Sequence, residues 1–208
     1  MSGNKSIPLT RGALVVALLL MASACAFETP TSAVPKSYDF GPPPSYTRSN
    51  PAIPGTVLVA SVRAPAWLED DAIHYRLLYE DPSRTQSYAT SRWSAEPAAL
   101  MTDRLRSRVA AIAQGVVSPG YSARSDYTLR IELEDFSQHF AAPGQSTVML
   151  RARATLLGSE ARAIIAQRAF VVTRSAEPNA AGAVNALAAA TDTFLEDLVK
   201  WAVENTKK

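Results

Sequence analysis

The stretch Tyr127-Thr-Leu-Arg-Ile-Glu-Leu-Glu134 decides the fold class of this chain. Its apolar and polar residues alternate strictly, which predicts a strand with one buried face and one solvated face. Residues 147–157 alternate in the same way, and residues 163–173 form a third apolar run. The turn sequences Pro143-Gly144 and Gly158-Ser159 separate these segments, so we expect an antiparallel meander of three strands.

Before this meander, three further strands are predicted at residues 56–62, 73–79 and 86–93, because these runs are β-branched and aromatic. A first helix follows and ends near Gly115. Its apolar residues recur at helical spacing, with the charged residues on the solvent side: Leu100, Met101, Leu105, Val109 and Ile112 against Asp103, Arg104, Arg106 and Arg108.

A second amphipathic helix is predicted from residue 180 to about residue 204. Its apolar stripe consists of Val184, Leu187, Thr191, Phe194, Leu195, Leu198 and Ala202. The order βββ-α-βββ-α predicts an α+β fold, in which a largely antiparallel sheet carries both helices on one face. No repeat or heptad suggests a second core, so residues 56–208 are expected to form a single domain.

The first 24 residues have the composition of a signal peptide. The chain has 208 residues and a formal charge of +2, and both surplus cations, Lys5 and Arg11, lie in this segment, which contains no acidic residue. An apolar run at residues 13–21 and the small residues 22–24 follow them. A positive start, a short apolar core and a small-residue end predict export from the cytoplasm.

Cys25, the only cysteine, directly follows the small residues. The arrangement resembles a bacterial lipobox, in which the thiol is acylated and becomes a lipid anchor. It departs from the usual pattern at Ala22, where a leucine is common. The alternative is a plain A-x-A cleavage site that leaves an incidental terminal cysteine. Ala26 in place of an aspartate resembles the sorting signal for the outer membrane in enteric bacteria.

Residues 25–55 are expected to form a proline-rich tether, because they hold seven of the 14 prolines. Fully extended, thirty residues reach on the order of 90 Å, and as a flexible coil about 30 Å. The segment is either a stalk or a strap lying on the domain. The island Ser37-Tyr-Asp-Phe40 is either irregular or a short edge strand.

Four features together resemble the PqiC-like auxiliary lipoproteins of ABC-type transport systems. They are Cys25, Tyr38-Asp-Phe-Gly41, Ile73-x-Tyr75-Arg76 and Ser91-Arg-Trp93-x-x-x-Pro97-x-x-Leu100. The similarity covers residues 37–203. It implies a lipoprotein anchored through Cys25 on the periplasmic side of the cell envelope, in the outer membrane. Its implied partners are an ABC permease and ATPase and an MCE-domain protein in lipid transport, with a homo-oligomer as one option.

The sequence contains few residue patterns that are typical of catalytic or cofactor-binding sites. No nucleophile elbow, phosphate-binding loop or dinucleotide fingerprint is present, and neither His74 nor His139 is joined by a motif to a nucleophile. We therefore expect no enzymatic activity, and no cofactor beyond the covalent lipid. One cysteine and two histidines exclude a Cys/His zinc cage, and the balanced charge argues against nucleic-acid binding.

Three aromatic residues, Trp93, Tyr75 and Tyr79, are candidate contacts for a partner or a lipid chain. The alternative for Trp93 is packing at the corner between strand and helix. Two functions remain open. The first is an accessory of an ABC transporter and MCE system, and the second is a tethered regulator of a periplasmic enzyme such as a peptidoglycan synthase.

Overall fold

The sheet is organised around one long strand. The computed structural model describes residues 34–45, 52–121, 123–159 and 163–206. Its strands are β1 (Lys36–Tyr38), β2 (Ile53–Val59), β3 (Ala72–Leu77), β4 (Gln86–Trp93), β5 (Ala113–Val117), β6 (Tyr127–Ala142), β7 (Gln145–Gly158) and β8 (Ile164–Ala176). Its α-helices are α1 (Pro97–Ala110) and α2 (Ala180–Thr206).

β6 pairs along its whole length with β7, which pairs in turn with β8, and both pairings are antiparallel. These two long hairpins confirm the predicted meander and account for most of the paired residues. The other side of β6 is shared by two shorter strands that run parallel to it. Residues 57–59 of β2 pair with residues 127–129, and residues 75–77 of β3 pair with residues 138–140.

The strict alternation covers only half of β6, because the register between β6 and β7 shifts in the middle of the strand. Leu129, Ile131 and Leu133 face the core, the register shifts between Leu133 and Asp135, and Phe136 is then the next buried residue. An extra residue on one strand moves every later side chain to the opposite face. The strict alternation therefore ends at Glu134 although the strand continues to Ala142.

Both helices cover the same face of the sheet, as predicted. On β7 the residues beneath the helices are fully buried: Val148, Leu150, Ala152 and Ala154. Arg151, on the opposite face, is exposed. The predicted stripe of α2 is buried at all seven positions. The α+β class and the single domain are thereby confirmed.

The first helix is shorter than predicted. It ends at Ala110, and the next five residues after a short turn form β5, which pairs in parallel with β2. The apolar run through Ile112 continues the helical spacing and so conceals the strand. Gly115 lies against the side chain of Thr56, where an added Cβ would stand 3.3 Å from the hydroxyl oxygen. The residue thus suits close strand pairing better than a helix end.

Candidate functional site where the tether joins the domain

The segment that would connect a lipid anchor to the domain is partly built into the fold. Cys25 lies outside the described residues, so its acylation stays a prediction. The described residues from Pro35 onward belong to one compact unit. This unit includes β1 and the first residues of β2, which the sequence placed in the tether. We call residues 35–45 the strap.

β1 attaches the strap to the edge of the sheet. It pairs in parallel with the end of β4, with Lys36 opposite Ser91 and Tyr38 opposite Trp93. The backbone N–H of Ser94 donates to the carbonyl of Tyr38 at 2.6 Å. The island at residues 37–40 therefore includes part of a short edge strand. These residues lie on the domain as a strap and do not extend from it as a stalk.

Phe40 then inserts its ring into the core. It meets Trp93 edge to face at a centroid distance of 5.4 Å and Phe136 at 5.8 Å, and these two rings are 5.7 Å apart. Such aromatic contacts contribute about 0.5–1.5 kcal/mol each beyond the burial of apolar area. Gly41 follows with a positive φ of 71° and turns the chain outward, while its N–H donates to the Asp39 carboxylate at 2.7 Å.

Arg104 holds the strap against both helices. Its Nη1 donates to the carbonyl oxygens of Phe40 at 3.1 Å and Gly41 at 2.9 Å. Its Nε and Nη2 donate to the two carboxylate oxygens of Asp192 on α2, at 2.7 and 3.0 Å. The guanidinium of a single residue on α1 thus connects the strap, α1 and α2, in the bidentate geometry that suits arginine.

The placement of Arg104 corrects the sequence analysis, which assigned it to the solvent side of the helix. The residue is 7% exposed. Helical spacing puts it beside Met101 and Leu105, at the margin of the apolar stripe, and the strap, which is distant in sequence, then covers it. Spacing alone offers no signal for that covering segment or for the partner Asp192, which is 88 positions away.

The three candidate aromatic contacts occupy different environments. Trp93 is 1% exposed and lies in the core. Tyr75 is half-buried, packs on Tyr88 at 4.9 Å and donates its hydroxyl proton to Gln86 Oε1 at 3.1 Å. Tyr79, in the turn after β3, is 43% exposed next to the exposed Leu78. Of the three, Tyr79 alone presents a large surface to a partner.

Tyr88, beside Tyr75, has the most perturbed acidity that the described residues show. Its hydroxyl donates to Gln138 Oε1 at 2.7 Å. Burial, together with the neighbouring phenol of Tyr75, raises the pKa of Tyr88 to about 12. The phenol is therefore neutral at physiological pH and serves as a hydrogen-bond donor to the interior amide.

Cavities in the described part of the chain are small or open. A void of about 10 Å³ lies in the core between β2, α1 and α2, lined by residues such as Ile53, Val109 and Leu198. A shallow pocket of about 220 Å³ lies between the strap and α1. Sites that enclose a small molecule usually measure 300–1,000 Å³. Two larger hollows beside α2, of about 480 and 590 Å³, are open to solvent, so the described interior offers no room for a lipid chain.

Asp135, Ser137 and His139 meet on one face of β6, a grouping that sequence analysis missed. The signal is their alternate spacing, which places three side chains on one face of a strand. Ser137 Oγ donates to Asp135 Oδ1 at 2.6 Å, and His139 Nε2 lies 3.1 Å from the same hydroxyl. His139 Nε2 also lies 3.4 Å from Asp135 Oδ2, so the three side chains form one polar cluster. Ser137 is also fully buried.

Other charged residues of the described ranges form local structural contacts. Asp70 accepts from the Ala72 N–H at 3.0 Å and contacts His74 Nε2 at 2.9 Å. Glu134 on β6 forms a cross-strand ion pair with Arg153 on β7, with 2.9 Å between Oε1 and Nη2. None of the helices in the described ranges is sufficiently long and apolar to cross a bilayer.

Solved structures show where this architecture recurs. Protein XCC0632 from Xanthomonas campestris, of the DUF330 family, is 22% identical over 84% of this chain and 94% of its own, with a TM-score of 0.65. An uncharacterized protein is 15% identical over 80% of this chain and 97% of its own, with a TM-score of 0.59. The hypothetical protein CT253 from Chlamydia trachomatis is 7% identical over 73% and 97%, with a TM-score of 0.51. At these identities the likeness establishes the fold alone.

Family membership rests on the sequence. A comparison with curated proteins found no match. The family described as the ABC-type transport auxiliary lipoprotein component matches residues 38–199, from β1 nearly to the end of α2. The match agrees with the resemblance seen in the sequence and begins inside the strap. An accessory role in ABC-type transport at the cell envelope follows from it. The chain belongs to the family of ABC-type transport auxiliary lipoprotein components.

Proposed function

We propose that the protein is a lipoprotein of the outer membrane, acylated at Cys25, that docks an ABC transporter and its MCE-domain partner during lipid transport. The family match, which extends from the strap to α2, is the observation that carries the proposal. The Arg104 contacts support it, because they fix the anchor side of the chain to both helices. A pull on the anchor would thus be borne by the core of the domain.

The tightly packed interior of the domain fits a docking role better than it fits the carriage of a lipid or catalysis. The core void of about 10 Å³ cannot hold an acyl chain. The hydroxyl of Ser137 is fully buried, out of reach of a substrate. In this proposal the accessory acts through its surface.

Because the strap is attached to the domain, only the residues before it can separate the domain from the membrane. If Cys25 is the anchor, about ten residues separate it from Pro35, where the compact unit begins. Ten residues span at most about 35 Å when fully extended. The tether of thirty residues inferred from composition would have reached on the order of 90 Å. The shorter reach favours an accessory held close to its membrane over a regulator that reaches through the cell wall.

Fractionation of cells tests the anchor. Cys25→Ser is expected to move the protein from the membrane fraction to the soluble periplasm, because the thiol carries the lipid. Ala26→Asp keeps the thiol and is the matched variant. It is expected to leave the protein in a membrane but to shift it from the outer to the inner membrane. A Cys25→Ser variant that stays in the membrane fraction would refute acylation as the means of attachment.

Co-purification tests the partner. The full-length lipoprotein, tagged at its C-terminus and extracted in mild detergent, should recover an MCE-domain protein together with the ABC components. Recovery of a peptidoglycan synthase without any MCE protein would overturn the proposal in favour of the regulator. The Cys25→Ser variant, purified in the same detergent, shows whether binding depends on the domain or on the shared membrane.

A further inference from the structure

One edge of the sheet is open along the whole length of β8. This strand has 13 residues and pairs with β7 on its inner side, and no other strand of the described ranges pairs with its outer side. Proteins usually protect such an edge by keeping it short or by placing proline in it. β8 contains no proline, and Val171 at its middle is 57% exposed. Its unpaired backbone groups form a template for one more strand.

A groove beside this edge leaves space for the side chains of an added strand. It measures about 590 Å³ and runs between the end of β8 and the start of α2, where the helix presents Gly182, Ala186 and Ala189. Gly182 is required by packing, because a Cβ there would overlap the carbonyl oxygen of Glu177. The groove is therefore a consequence of how α2 begins against the end of β8.

The charge of the edge indicates what kind of strand it accepts. β8 carries Arg168 and Arg174 and no acidic residue, and the groove beyond its end is lined by Arg174 and one carboxylate, that of Glu177. Arg168 lies over the Phe170 ring at 4.9 Å, and Arg174 Nη2 donates to Thr193 Oγ1 at 2.6 Å. In the part of the chain that the structure describes, neither guanidinium has a carboxylate partner. Both face the α2 side and are six residues apart, about 20 Å along the strand.

A second copy of this chain is a poor occupant of the edge. It would bring its own two arginines to a strand that already has two, and like charges on neighbouring strands are destabilising. An acidic strand has the complementary charge and also satisfies the open backbone groups. Charge thus selects a different polypeptide over self-association.

We propose that the outer edge of β8 and the adjoining groove bind an extended acidic segment of a partner protein by strand addition. Two carboxylates of that segment, six residues apart, lie opposite Arg168 and Arg174. The carboxylate opposite Arg174 lies at the groove, which Arg174 lines. Between the two carboxylates, small residues lie on the α2 side, and β-branched residues on the other face pack beside Val171. This surface is separate from the strap and does not depend on the lipid anchor.

A synthetic peptide of this pattern tests the proposal: Thr-Glu-Val-Ser-Val-Ser-Val-Glu-Thr. Titrated into the purified full-length lipoprotein in detergent, it should bind saturably and protect the amides of β8 from hydrogen exchange. Two N-methylated forms of the peptide are compared. The first carries methyl groups on the alternate amides that point to one edge of the extended peptide, and the second carries them on the amides that point to the opposite edge. One form should lose binding and the other should keep it, because only one edge of the peptide can pair with β8.

Charge reversal adds a second, independent measurement. Arg168→Glu and Arg174→Glu should each weaken binding about fivefold, as expected for a half-exposed ion pair. The double variant should prefer the same peptide with lysine in place of glutamate. Arg92→Glu, on β4 at the far side of the sheet, is the matched control and should leave binding unchanged. The preference for the lysine peptide separates a charge effect from loss of folding.

Several results would overturn the proposal. Absence of saturable binding, equal binding of the glutamate and lysine peptides to the native protein, or retention of binding by both N-methylated forms would each exclude strand addition by an acidic segment. Concentration-dependent self-association that protects the β8 amides from hydrogen exchange would instead assign the edge to a second copy of the chain.

Discussion

Replacing Arg104 by methionine tests the role of the strap most directly. Methionine keeps an apolar stem of similar length, so the change removes the guanidinium while filling much of its space. It deletes two bonds to Asp192 and one each to the carbonyls of Phe40 and Gly41. Breaking a buried ion pair typically costs 3–5 kcal/mol. Because the Asp192 side chain is 33% exposed, we expect about 3 kcal/mol at the low end of that range.

The loss should be both global and local. For a domain of this size, about 3 kcal/mol corresponds to a decrease in Tm of roughly 6–12 °C, measured by circular dichroism. Hydrogen exchange of residues 36–41 should also accelerate under native conditions, because the strap loses its link to the helices. Arg104→Lys keeps the charge without the fork of donors and should give an intermediate loss.

The matched control is Arg92→Met, on β4. Its ion pair with Asp71 is 3.8 Å long between side chains that are 48% and 51% exposed, so its loss should cost less than about 1 kcal/mol. The double variant Arg104→Met with Asp192→Leu should recover part of the loss, because it leaves no unpaired carboxylate. Equal Tm values for Arg104→Met and Arg92→Met, with unchanged exchange of the strap, would refute the reasoning.

Three further changes test other parts of the structure. Trp93→Ala should cost about 3–5 kcal/mol because the ring is fully buried, whereas Tyr79→Ala should cost little; comparable urea midpoints for the two would contradict the assignment of Trp93 to the core. Gly182→Ala should lower the Tm, because the added methyl group meets the Glu177 carbonyl. Tyr88 should ionise near pH 12 in an ultraviolet titration of the folded protein. Since an unfolded tyrosine ionises near 10, the stability contributed by its neutral phenol is complete below pH 10 and is lost as the pH rises to about 12. Tyrosines that all titrate together near pH 10 would rule out its burial.

The periodic parts of the sequence predicted the corresponding parts of the fold. The alternation in β6 and β7 and the stripe of α2 are local patterns, and burial of one face follows from them whatever the neighbours are. The prediction of one α+β domain with both helices on one face rested on these patterns and is confirmed. Where the pattern was interrupted by a bulge after Leu133, or continued past a helix end at Ala110, the element boundaries were wrong.

The candidate site was less accessible to such reasoning. Arg104 carries the contacts that join strap and helices, yet its spacing on α1 resembles that of the exposed residues Asp103 and Ser107. Asp135, Ser137 and His139 share a face of one strand, but alternation does not give the distances between their side chains. The burial of Arg104 depends on contacts between distant segments, and the polar cluster depends on side-chain conformation.

The sequence by itself therefore determined the type and order of most elements, together with the expectation of an exported, lipid-anchored protein. These depend on local periodicity and on composition, which are written along the chain. Only the tertiary structure decided that residues 36–38 join the sheet, that Arg104 is buried against Phe40 and Gly41 and that β8 remains an open edge. Such features arise from pairing between distant segments, and the free energy of that pairing depends on the whole assembled core.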